Sequence, residues 1–426
     1  MNSDRANFDS QMMGIAIRMA KRGVGTTAPN PSVGAVIADE ATGEVIARGW
    51  TQPGGRPHAE KEALARAGDR ARGRTMYVTL EPCAHTGRVP TCADAMLTAG
   101  LRRVVCAIPD PNPVVSGRGF AQLRAQGVEV DVGLRADDAR WVTLGHILRQ
   151  TANRPFVQLK MALDAGGRIA AGDGAPVWVT GTEARAYAHL LRAEADAILV
   201  GSGTVLADDP ELTCRLPGLG ARSPDRIVLD TRLRTPASAK VYRQNSTKER
   251  VLPGAPVAHE QPRILPRAPV AHEQPRVLPR APVAHEQPRV LPRAPVAHEQ
   301  PRVWIAAAIG EAERDASAHC QGGALVFDVG SRDGRALDLD GLLDTLAVNG
   351  ITRLMVEGGP TVWHAFLVAG FVDEVCVVTA PTRANGATIA VIEGDHDAFF
   401  ARFNLHPALS RGLGADRLAI YRRESP

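Results

Sequence analysis

Four residues between positions 58 and 92 limit how the first part of this chain can fold. They are His58, Glu60, Cys83 and Cys92, and Pro82 stands directly before the first cysteine. The surrounding pattern predicts a helix that begins at the histidine, a β-strand that ends just before the first cysteine, and a second helix that begins at the next cysteine. A shared site for these side chains therefore requires both helix starts to meet one end of that strand.

The chemistry of this set is that of a zinc centre. One imidazole and two thiolates satisfy three tetrahedral positions and leave the fourth to water, whose pKa zinc lowers to about 7. Glu60 lies two residues beyond His58, so it can move protons at the site without binding the metal. The start of a helix favours a thiolate at Cys92. The alternative is a pair of buried thiols beside a surface helix that begins with histidine.

The order of the motif narrows the chemistry. H-x-E followed by P-C matches the signature of zinc-dependent nucleobase deaminases, although eight residues separate the two cysteines here instead of two. Each half of the motif alone is weak evidence. Both halves in order, on a helix–strand–helix pattern, predict a deaminase.

Strands and helices alternate through the first 150 residues. Helices are predicted over 8–22, 58–67, 92–99 and 136–151, and strands over 33–38, 44–48, 75–80 and 104–108. This alternation predicts an α/β/α sandwich. A second α/β block begins near Arg154, so we predict one domain over 1–150 and another over 151–426.

The second block has its own set of predicted strands. They cover 156–161, 197–200, 226–229, 303–306, 324–327, 353–356 and 374–379, with helices over 182–195 and 339–348. The chain has no G-x-G-x-x-G motif, so no Rossmann dinucleotide site is predicted. The Gly-rich turn over 357–361 is a candidate phosphate site, because a helix start exposes backbone N–H groups. Asp208-Asp209-Pro210 is either a ligand-facing turn or a simple one.

A proline-rich repeat interrupts the second block. The unit VAHEQPRVLPRAP begins at 257, 270, 283 and 296, and the last copy stops at Arg302. Three prolines per unit exclude a continuous helix and a central strand, so we predict an inserted, disordered loop over 251–302. Two alternatives are a metal-binding histidine array (His259, His272, His285, His298) and a docking peptide.

Composition limits the partners. The net charge is +4, and the repeat region supplies +3 of it with seven Arg and four Glu, so the rest of the chain is nearly neutral. Aromatic residues make up 4%, which does not favour a nucleic-acid groove. No run approaches the roughly 18 apolar residues of a membrane span, and the N-terminus is not a secretory signal. Six scattered cysteines do not form a disulfide framework, so a cytoplasmic enzyme for small molecules is predicted, with a homo-oligomer left open.

The spacing between the two cysteines points to one subgroup of deaminases. The stretch Glu81–Cys92, EPCAHTGRVPTC, resembles the bifunctional riboflavin-biosynthesis deaminase/reductases, as do PNPSVG at 29–34 and DPNP at 110–113. Segments of the second block are similar to the same family: RPFVQLK at 154–160, WVTG at 178–181, LRA at 191–193, GSGTVLADDPELT at 201–213 and EGGP at 357–360. The resemblance covers about 8–250 and 303–425.

For the first domain, the resemblance implies a cytidine-deaminase-like fold that acts on a diaminopyrimidinone bearing a ribosyl phosphate. His58, Cys83 and Cys92 would bind Zn²⁺, and Glu60 would carry the proton. Asn30 would contact the substrate base, and a structural role is the alternative; the same holds for His85 and Arg88 with the substrate's polar groups. The family often has a histidine where this chain has Thr51, which affects only a substrate contact.

For the second domain, the resemblance implies a dihydrofolate-reductase-like fold that uses NADPH to reduce an opened ribose to a ribityl chain. The residues that would face the cofactor are Ala162, Trp178, Thr204, Asp208, Thr231, Gly359, Pro360 and Thr361. Those that would face the substrate are Arg192, Leu212, Arg215 and Glu357. Arg192 and Arg215 suit the phosphate, because guanidinium binds phosphate with two parallel hydrogen bonds.

The second domain also departs from the family pattern. The family reads Ser-Leu-Asp-Gly-Arg where this chain has Asp164-Ala165-Gly166-Gly167-Arg168, and a family serine is replaced by Pro176. Asp164 is a candidate substitute for the lost acid. The leading hypothesis is a two-step enzyme, and the alternative is a deaminase with a degenerate reductase domain. A nucleic-acid-editing deaminase and a non-catalytic scaffold that docks through the repeat are further alternatives.

Overall fold

A computed structural model describes residues 2–84, 90–112, 115–170, 179–243, 301–307, 324–328, 338–384, 386 and 388–424. The helices are α1 Asn2–Gly23, α2 Ala59–Ala67, α3 Cys92–Thr98, α4 Arg118–Ala125, α5 Ala136–Ala152, α6 Thr182–Glu194, α7 Ser202–Asp208, α8 Leu339–Val348, α9 Pro360–Val368 and α10 His396–Ala401. Short 3₁₀ turns lie at Pro53–Gly55, Gly68–Ala71, Gly220–Arg222 and Lys240–Tyr242.

Five strands form the sheet of the first domain. They are β1 Gly34–Ala38, β2 Val45–Trp50, β3 Thr75–Val78, β4 Arg103–Cys106 and β5 Glu129–Val132, in the order β2-β1-β3-β4-β5. The pairs β1–β2 and β1–β3 are antiparallel, whereas β3–β4 and β4–β5 are parallel.

Helices cover both faces of this sheet. A Cβ on Gly34 would meet the backbone of Ala16 in α1 at 1.9 Å, and a Cβ on Gly49 would meet Ala59 in α2 at 2.2 Å. Gly49 pairs with Ala35, the neighbour of Gly34, so the two glycines point to opposite faces. Glycine at both positions therefore lets α1 and α2 approach the sheet from opposite sides, which confirms the predicted α/β/α arrangement.

The second domain contains a nine-stranded sheet. Its strands are β6 Phe156–Leu163, β8 Ala197–Gly201, β9 Asp225–Leu229, β10 Val303–Ala307, β11 Ala324–Asp328, β12 Arg353–Val356, β13 Glu374–Thr379, β15 Leu405–Leu413 and β16 Asp416–Arg423. The order is β11-β10-β9-β8-β12-β6-β13-β16-β15, and only β16 and β15 run antiparallel to their neighbours. A separate two-stranded sheet pairs β7 Arg168–Ala170 with β14 Thr388–Ala390.

Successive residues of the central strands point alternately into two core layers, one on each face of the sheet. Leu199 and Leu354 pack in one layer with apolar side chains of α8, α9 and α10, whereas Ile198 and Met355 pack in the other with α6 and α7. Strands buried on both faces are continuous apolar runs, which is why the sequence pattern located them well.

The structure extends or adds to the predicted elements at several places. The helix predicted over 58–67 begins one residue later, because His58 is its N-cap, and helix α1 begins at Asn2 instead of residue 8. Helices α4, α7 and α10 and strands β5, β7, β14, β15 and β16 were not predicted, whereas α9 begins within the Gly-rich turn, where a helix start was predicted. Except for its last two residues, the repeat segment lies outside the described residues, so the predicted loop remains a prediction.

Helix α5 connects the two domains and contacts both. Arg149 donates from Nε to the carbonyl of Ala347 at 2.8 Å, and the rings of Trp141 and Phe156 meet edge to face at 6.4 Å. A Cβ on Gly145 would meet the Thr352 carbonyl at 2.3 Å. The helix therefore packs against the second domain at backbone distance.

Candidate metal centre and cofactor edge

Three ligand-type side chains of the first domain meet where two helices begin. His58 is the N-cap of α2, Cys92 is the first residue of α3, and Cys83 lies in the loop that follows β3. Thr91 caps α3 through a capping box with Asp94, which fixes where the helix starts and hence where the Cys92 side chain points.

The distances fit a tetrahedral ion. His58 Nδ1 lies 3.3 Å from Cys92 Sγ and 3.7 Å from Cys83 Sγ, and the three ligand atoms lie within 4.8 Å of one another. Zinc with normal bond lengths separates neighbouring nitrogen and sulfur ligands by about 3.6 Å. Among the described residues, this is the one group of three or more such side chains that could hold a metal.

Hydrogen bonds shift the pKa values of the two thiols in opposite directions. The Cys92 thiol donates to Cys83, as do His58 and the Cys92 backbone N–H at 3.3 Å, and together they lower the pKa of Cys83 to about 4 against the effect of burial. The pKa of Cys92 is raised because its thiol donates to Cys83 and is itself buried. A lowered thiol pKa suits a cation site, since metal binding requires the loss of thiol protons.

Glu60 lies in the first turn of α2 and is 3% exposed. Burial raises the pKa of Glu60, while the neighbouring His58 opposes that rise. A raised pKa makes a carboxyl group a stronger base, which suits a group that must take up a proton and pass it on. Its placement beside the ligands, without joining their cluster, is what a proton carrier requires.

A second buried carboxylate supports the cysteine loop. Glu81 is 4% exposed and accepts hydrogen bonds from the backbone N–H groups of Asp110 at 3.2 Å, Gly117 at 3.0 Å and Gly119 at 3.0 Å. It stands two residues before Cys83, so it ties the loop of that ligand to the segment after β4. Glu81 belongs to the motif EPCAHTGRVPTC, but its position in the motif did not predict this role.

Asn30 lies beside the approach to the metal centre. Its side-chain amide packs against Gly55, in the turn that leads to His58. A Cβ on Gly55 would overlap that amide at 2.0 Å. Thr51 is 2% exposed, and its hydroxyl accepts a hydrogen bond from the Val33 N–H at 2.9 Å, so this side chain is bound into the fold.

In the second domain, most predicted cofactor residues share one edge of the sheet. Strands β9, β8, β12 and β6 are adjacent and parallel, so their carboxyl ends meet at that edge. The residues there are Ala162, Thr204, Thr231, Gly359, Pro360 and Thr361. Ligands bind open α/β sheets at this edge. We refer to it as the cofactor edge.

Two of the predicted positions differ from expectation. The Gly359 N–H donates to Thr204 Oγ1 at 3.2 Å, and Pro360 has no N–H, so the turn offers fewer donors to a phosphate than the sequence indicated. Asp208 is exposed at the last residue of α7, about one helical turn beyond Thr204. It therefore lies farther from the edge than the other predicted residues.

Glu357 is the centre of a buried ionic cluster. It binds Lys160 Nζ at 3.2 Å and Arg192 Nη2 at 2.8 Å, and each of the three side chains is no more than 14% exposed. Burial alone would raise the pKa of Glu357, but Arg192 and Lys160 outweigh it and hold the pKa at about 2. Lys160 was not a predicted site residue, because a lone lysine in a strand carries no spacing signal.

The remaining predicted substrate residues gather around Thr213. Arg192 donates to the Thr213 carbonyl at 3.1 Å, and Arg215 lies 3.4 Å from the Thr213 hydroxyl. Leu212 is buried with a positive φ of 56°. Arg215 is exposed and pairs with Glu211 at 3.2 Å, so of the two arginines it is the more accessible to a phosphate.

Asp164 does not reach toward the cofactor edge as a free acid. It is 1% exposed, and it accepts from the N–H groups of Gly166 at 2.8 Å, Arg168 at 3.0 Å and Ala384 at 3.0 Å. These bonds lower its pKa although burial opposes them. The carboxylate therefore anchors the β6–β7 turn, and the idea that it replaces the lost acid is not supported.

Trp178, His85, Arg88 and Pro176 lie outside the described residues, as do the four histidines of the repeat. Of the cysteines in the described part of the chain, Cys83, Cys92, Cys106, Cys214 and Cys376 are all free thiols. Within the same part, no helix is long and apolar enough to cross a membrane.

Two family models match the chain. The cytidine and deoxycytidylate deaminase zinc-binding region matches residues 6–108, and the RibD C-terminal domain matches residues 155–265 and 251–397. The overlap of the last two ranges falls on the repeat. The first match contains the whole metal centre, and the second contains the cofactor edge.

Curated relatives include the riboflavin biosynthesis protein RibD of Bacillus amyloliquefaciens, 33% identical over 379 residues, covering 89% of this chain and 86% of the relative. The protein of the same name from Aquifex aeolicus is 46% identical over 234 residues, which cover 55% of this chain and 65% of the relative. The matched stretch thus spans just under two thirds of the Aquifex protein.

Two solved structures of relatives align with nearly the whole of this chain. Acinetobacter baumannii RibD is 29% identical with a TM-score of 0.73, covering 99% of this chain and all of the other. A deaminase/reductase from Thermotoga maritima is 28% identical with a TM-score of 0.73, covering 98% of this chain and 99% of the other.

The fold and the site define an enzyme with a zinc-type deaminase domain followed by a dinucleotide-dependent reductase domain. The matches to both domains, and the relative aligned over most of both chains, make the assignment specific. The chain belongs to the RibD family of bifunctional riboflavin-biosynthesis proteins, and its cofactors are Zn²⁺ and NADPH.

Proposed function

We propose that this chain catalyses two successive steps of riboflavin biosynthesis. The first domain removes the ring 2-amino group of 2,5-diamino-6-(5-phosphoribosylamino)pyrimidin-4(3H)-one as ammonia. The second reduces the ribosyl group of 5-amino-6-(5-phosphoribosylamino)uracil to ribityl with NADPH. The observation that carries the proposal is the convergence of His58, Cys83 and Cys92 within 4.8 Å beside the buried Glu60.

The deaminase residues have distinct tasks. Zinc, when bound by the imidazole and the two thiols, supplies hydroxide at neutral pH. Glu60 accepts the proton from the attacking water and passes it to the leaving amine. The bond between the ring carbon and its amino nitrogen then breaks, which yields a carbonyl and ammonia. Asn30 orients the substrate base from its position on Gly55.

The reductase residues position the reactants. NADPH supplies the hydride, so the protein mainly binds and orients. Ala162, Thr204 and Thr231 form part of the cofactor edge, with the turn over 359–361. On the substrate side, Arg215 meets the phosphate, and Glu357 fixes the direction of Arg192.

The degenerate-reductase alternative receives no support from the described residues. The cofactor edge is assembled, and the changes at Asp164 and Gly166 form an ordered turn. A family match also covers this domain. We therefore propose that both domains are active.

The proposal is tested by incubating the purified chain with the diaminopyrimidinone ribosyl phosphate, with and without NADPH, and following products by mass spectrometry. We expect loss of the amino group without NADPH and a further gain of two hydrogens with it. The variant Glu60→Gln should lose about 100-fold or more in deamination while keeping its zinc and its reductase activity. Deamination without a gain of two hydrogens would support the deaminase proposal and contradict the reductase proposal.

We further propose that the two domains divide at about residue 150 and that the chain works in the cytoplasm as a homo-oligomer. Free thiols at all five described cysteines support a reducing compartment. Among the described strands β15 is the last of its sheet and has an exposed face, so a second copy can pair with its outer edge. Sedimentation of the purified chain measures its oligomeric state.

A further inference from the structure

A small polar cleft lies between the two domains, outside the metal centre. Asn30, Thr143 and His146 line it from the first domain, and Asp196, Thr352 and Arg353 line it from the second. It has room for about one water-sized molecule. The metal ligands and Glu60 are not among its lining residues.

Two buried polar atoms of the lining residues have no hydrogen-bond partner. They are Thr143 Oγ1, on a residue 2% exposed, and His146 Nδ1, on a residue 9% exposed. The other ring nitrogen of His146 lies 3.4 Å from Asp110 Oδ1, so we assign the ring proton to Nε2 and a lone pair to Nδ1. Buried polar atoms are almost always satisfied, so this pair indicates a small bound molecule.

The charges in the cleft favour a molecule that donates hydrogen bonds. Asp196 contributes a carboxylate, of which Oδ2 accepts from Thr352 N–H at 2.8 Å, Thr352 Oγ1 at 2.6 Å and Arg353 N–H at 2.9 Å. Burial raises the pKa of Asp196, and the charge of the Arg353 guanidinium, which lies over the Phe156 ring at 4.3 Å, opposes that rise. His146 Nδ1 then remains as a neutral acceptor, and the Thr143 hydroxyl can accept or donate, so a small N–H donor can bind to both.

One residue of the cleft also touches the turn that leads to the metal centre. Asn30 lines the cleft and at the same time packs against Gly55, three residues before His58.

We propose that this cleft binds the ammonia released by deamination, as ammonia or ammonium, with Thr143 and His146 as its acceptors. The inference rests on the proposed deaminase function for the source of the ligand, but the binding site can be tested without turnover. A structural water in the same place is the competing occupant.

The binding test uses crystals of the full chain grown without ammonium and soaked in thallium(I), a cation with the charge of ammonium and a similar size. We expect an anomalous peak between Thr143 and His146 that ammonium chloride displaces. It should be lost in Thr143→Val, which keeps the shape, and kept in Thr143→Ser, which keeps the hydroxyl. A cleft that holds only water in all three proteins, or a peak unchanged in Thr143→Val, overturns the proposal.

The kinetic test compares ammonium chloride with sodium chloride at equal ionic strength in the deaminase assay. Ammonium should inhibit the wild type specifically, and the inhibition constant should rise about fivefold in Thr143→Val, the effect of one hydrogen bond, but not in Thr143→Ser. Equal inhibition in all three proteins counts against the site. If no ammonia is released, the deaminase proposal fails, whereas normal release without thallium binding removes only the ammonia site.

Discussion

At the scale of single residues, the buried cluster of Glu357, Lys160 and Arg192 makes the second domain sensitive to acid. The pKa of Glu357 is about 2, below its ordinary value of 4.5, so the folded state favours the ionised form. Its contribution to stability is complete above about pH 4.5 and is lost as the pH falls through about 2.

We predict that Glu357→Gln lowers the free energy of unfolding by about 3 kcal/mol at pH 7, because it leaves two cations without their buried partner. The difference from wild type should shrink between pH 4.5 and about 2. Urea unfolding over this pH range measures it. Glu211→Gln, which breaks the exposed pair with Arg215, is the control and should change stability by less than about 1 kcal/mol. A difference that does not vary with pH would contradict the assignment.

The residue Asp164 gives a second prediction. Asp164→Asn removes one acceptor from a carboxylate that holds three backbone N–H groups, and we expect it to lower stability by about 1–3 kcal/mol. Because the turn borders the cofactor edge, the KM for NADPH should rise more than kcat falls. Steady-state kinetics and thermal unfolding test this against the exposed control Asp344→Asn. A drop in kcat at constant KM would instead indicate a role in the chemistry.

How far the sequence located these residues depends on the kind of signal each one carries. His58, Glu60, Cys83 and Cys92 were found because metal chemistry demands certain residue types at helix and strand ends. Glu81 and Lys160 could not be assigned, since their roles arise from contacts between distant segments. Asp164 was noticed as a departure from the family, but only the three N–H groups around it show that it is an anchor.

At the scale of elements, helix α5 packs so closely against the second domain that there is no room for a Cβ atom between Gly145 and the Thr352 carbonyl. Gly145 faces Thr352, and no side chain fits between them. Alanine at an ordinary helix position is more stable than glycine by about 1 kcal/mol. Whether alanine at position 145 raises or lowers the stability therefore shows how closely α5 packs against Thr352.

We predict that Gly145→Ala destabilises the protein in spite of its better helix propensity, because its Cβ would lie 2.3 Å from the Thr352 carbonyl. Differential scanning calorimetry should show a lower melting temperature. The matched control is Gly203→Ala in α7, where a Cβ would meet nothing within 4 Å, and it should be neutral or stabilising. A stabilised Gly145→Ala would mean that α5 does not pack this closely.

How well an element was predicted from the sequence depended on its hydrophobic pattern. Strands buried on both faces, such as β8 and β13, were located within a residue or two because their apolar runs are continuous. The hairpin of β15 and β16 was missed, since β15 is largely exposed and carries no apolar alternation. For helix α9 the Gly-Gly-Pro sequence predicted the start of a helix after the turn, but it did not show where the helix ends.

At the scale of the whole molecule, the repeat segment joins two strands that are already neighbours. Strands β9 and β10 are parallel and paired from Arg226 with Val303 to Leu229 with Ala306. Arg302, the last residue of the repeats, binds Asp225 at 2.8 Å and lies over the Trp304 ring. The end of the repeat is therefore fixed at the start of this pairing.

We predict that deleting residues 257–295, three whole units, leaves both activities within about twofold of wild type. Shortening a connection alters its closure free energy by only about 0.6 kcal/mol for each halving of length. Both assays and thermal unfolding of the shortened chain check this. The control is Arg302→Ala in the full-length chain, which removes the anchor and should lower stability. Loss of reductase activity on deletion would show that the repeats contribute to the site.

The pairing of β9 with β10 has a practical use. Since the register between these strands is held by their own backbone bonds and by the Arg302–Asp225 pair, the connection offers a place to graft foreign sequence. A fluorescent reporter inserted there would travel with the enzyme while its termini stay free. Such a fusion would use the repeat segment as an insertion site and would show where the enzyme is located in living cells.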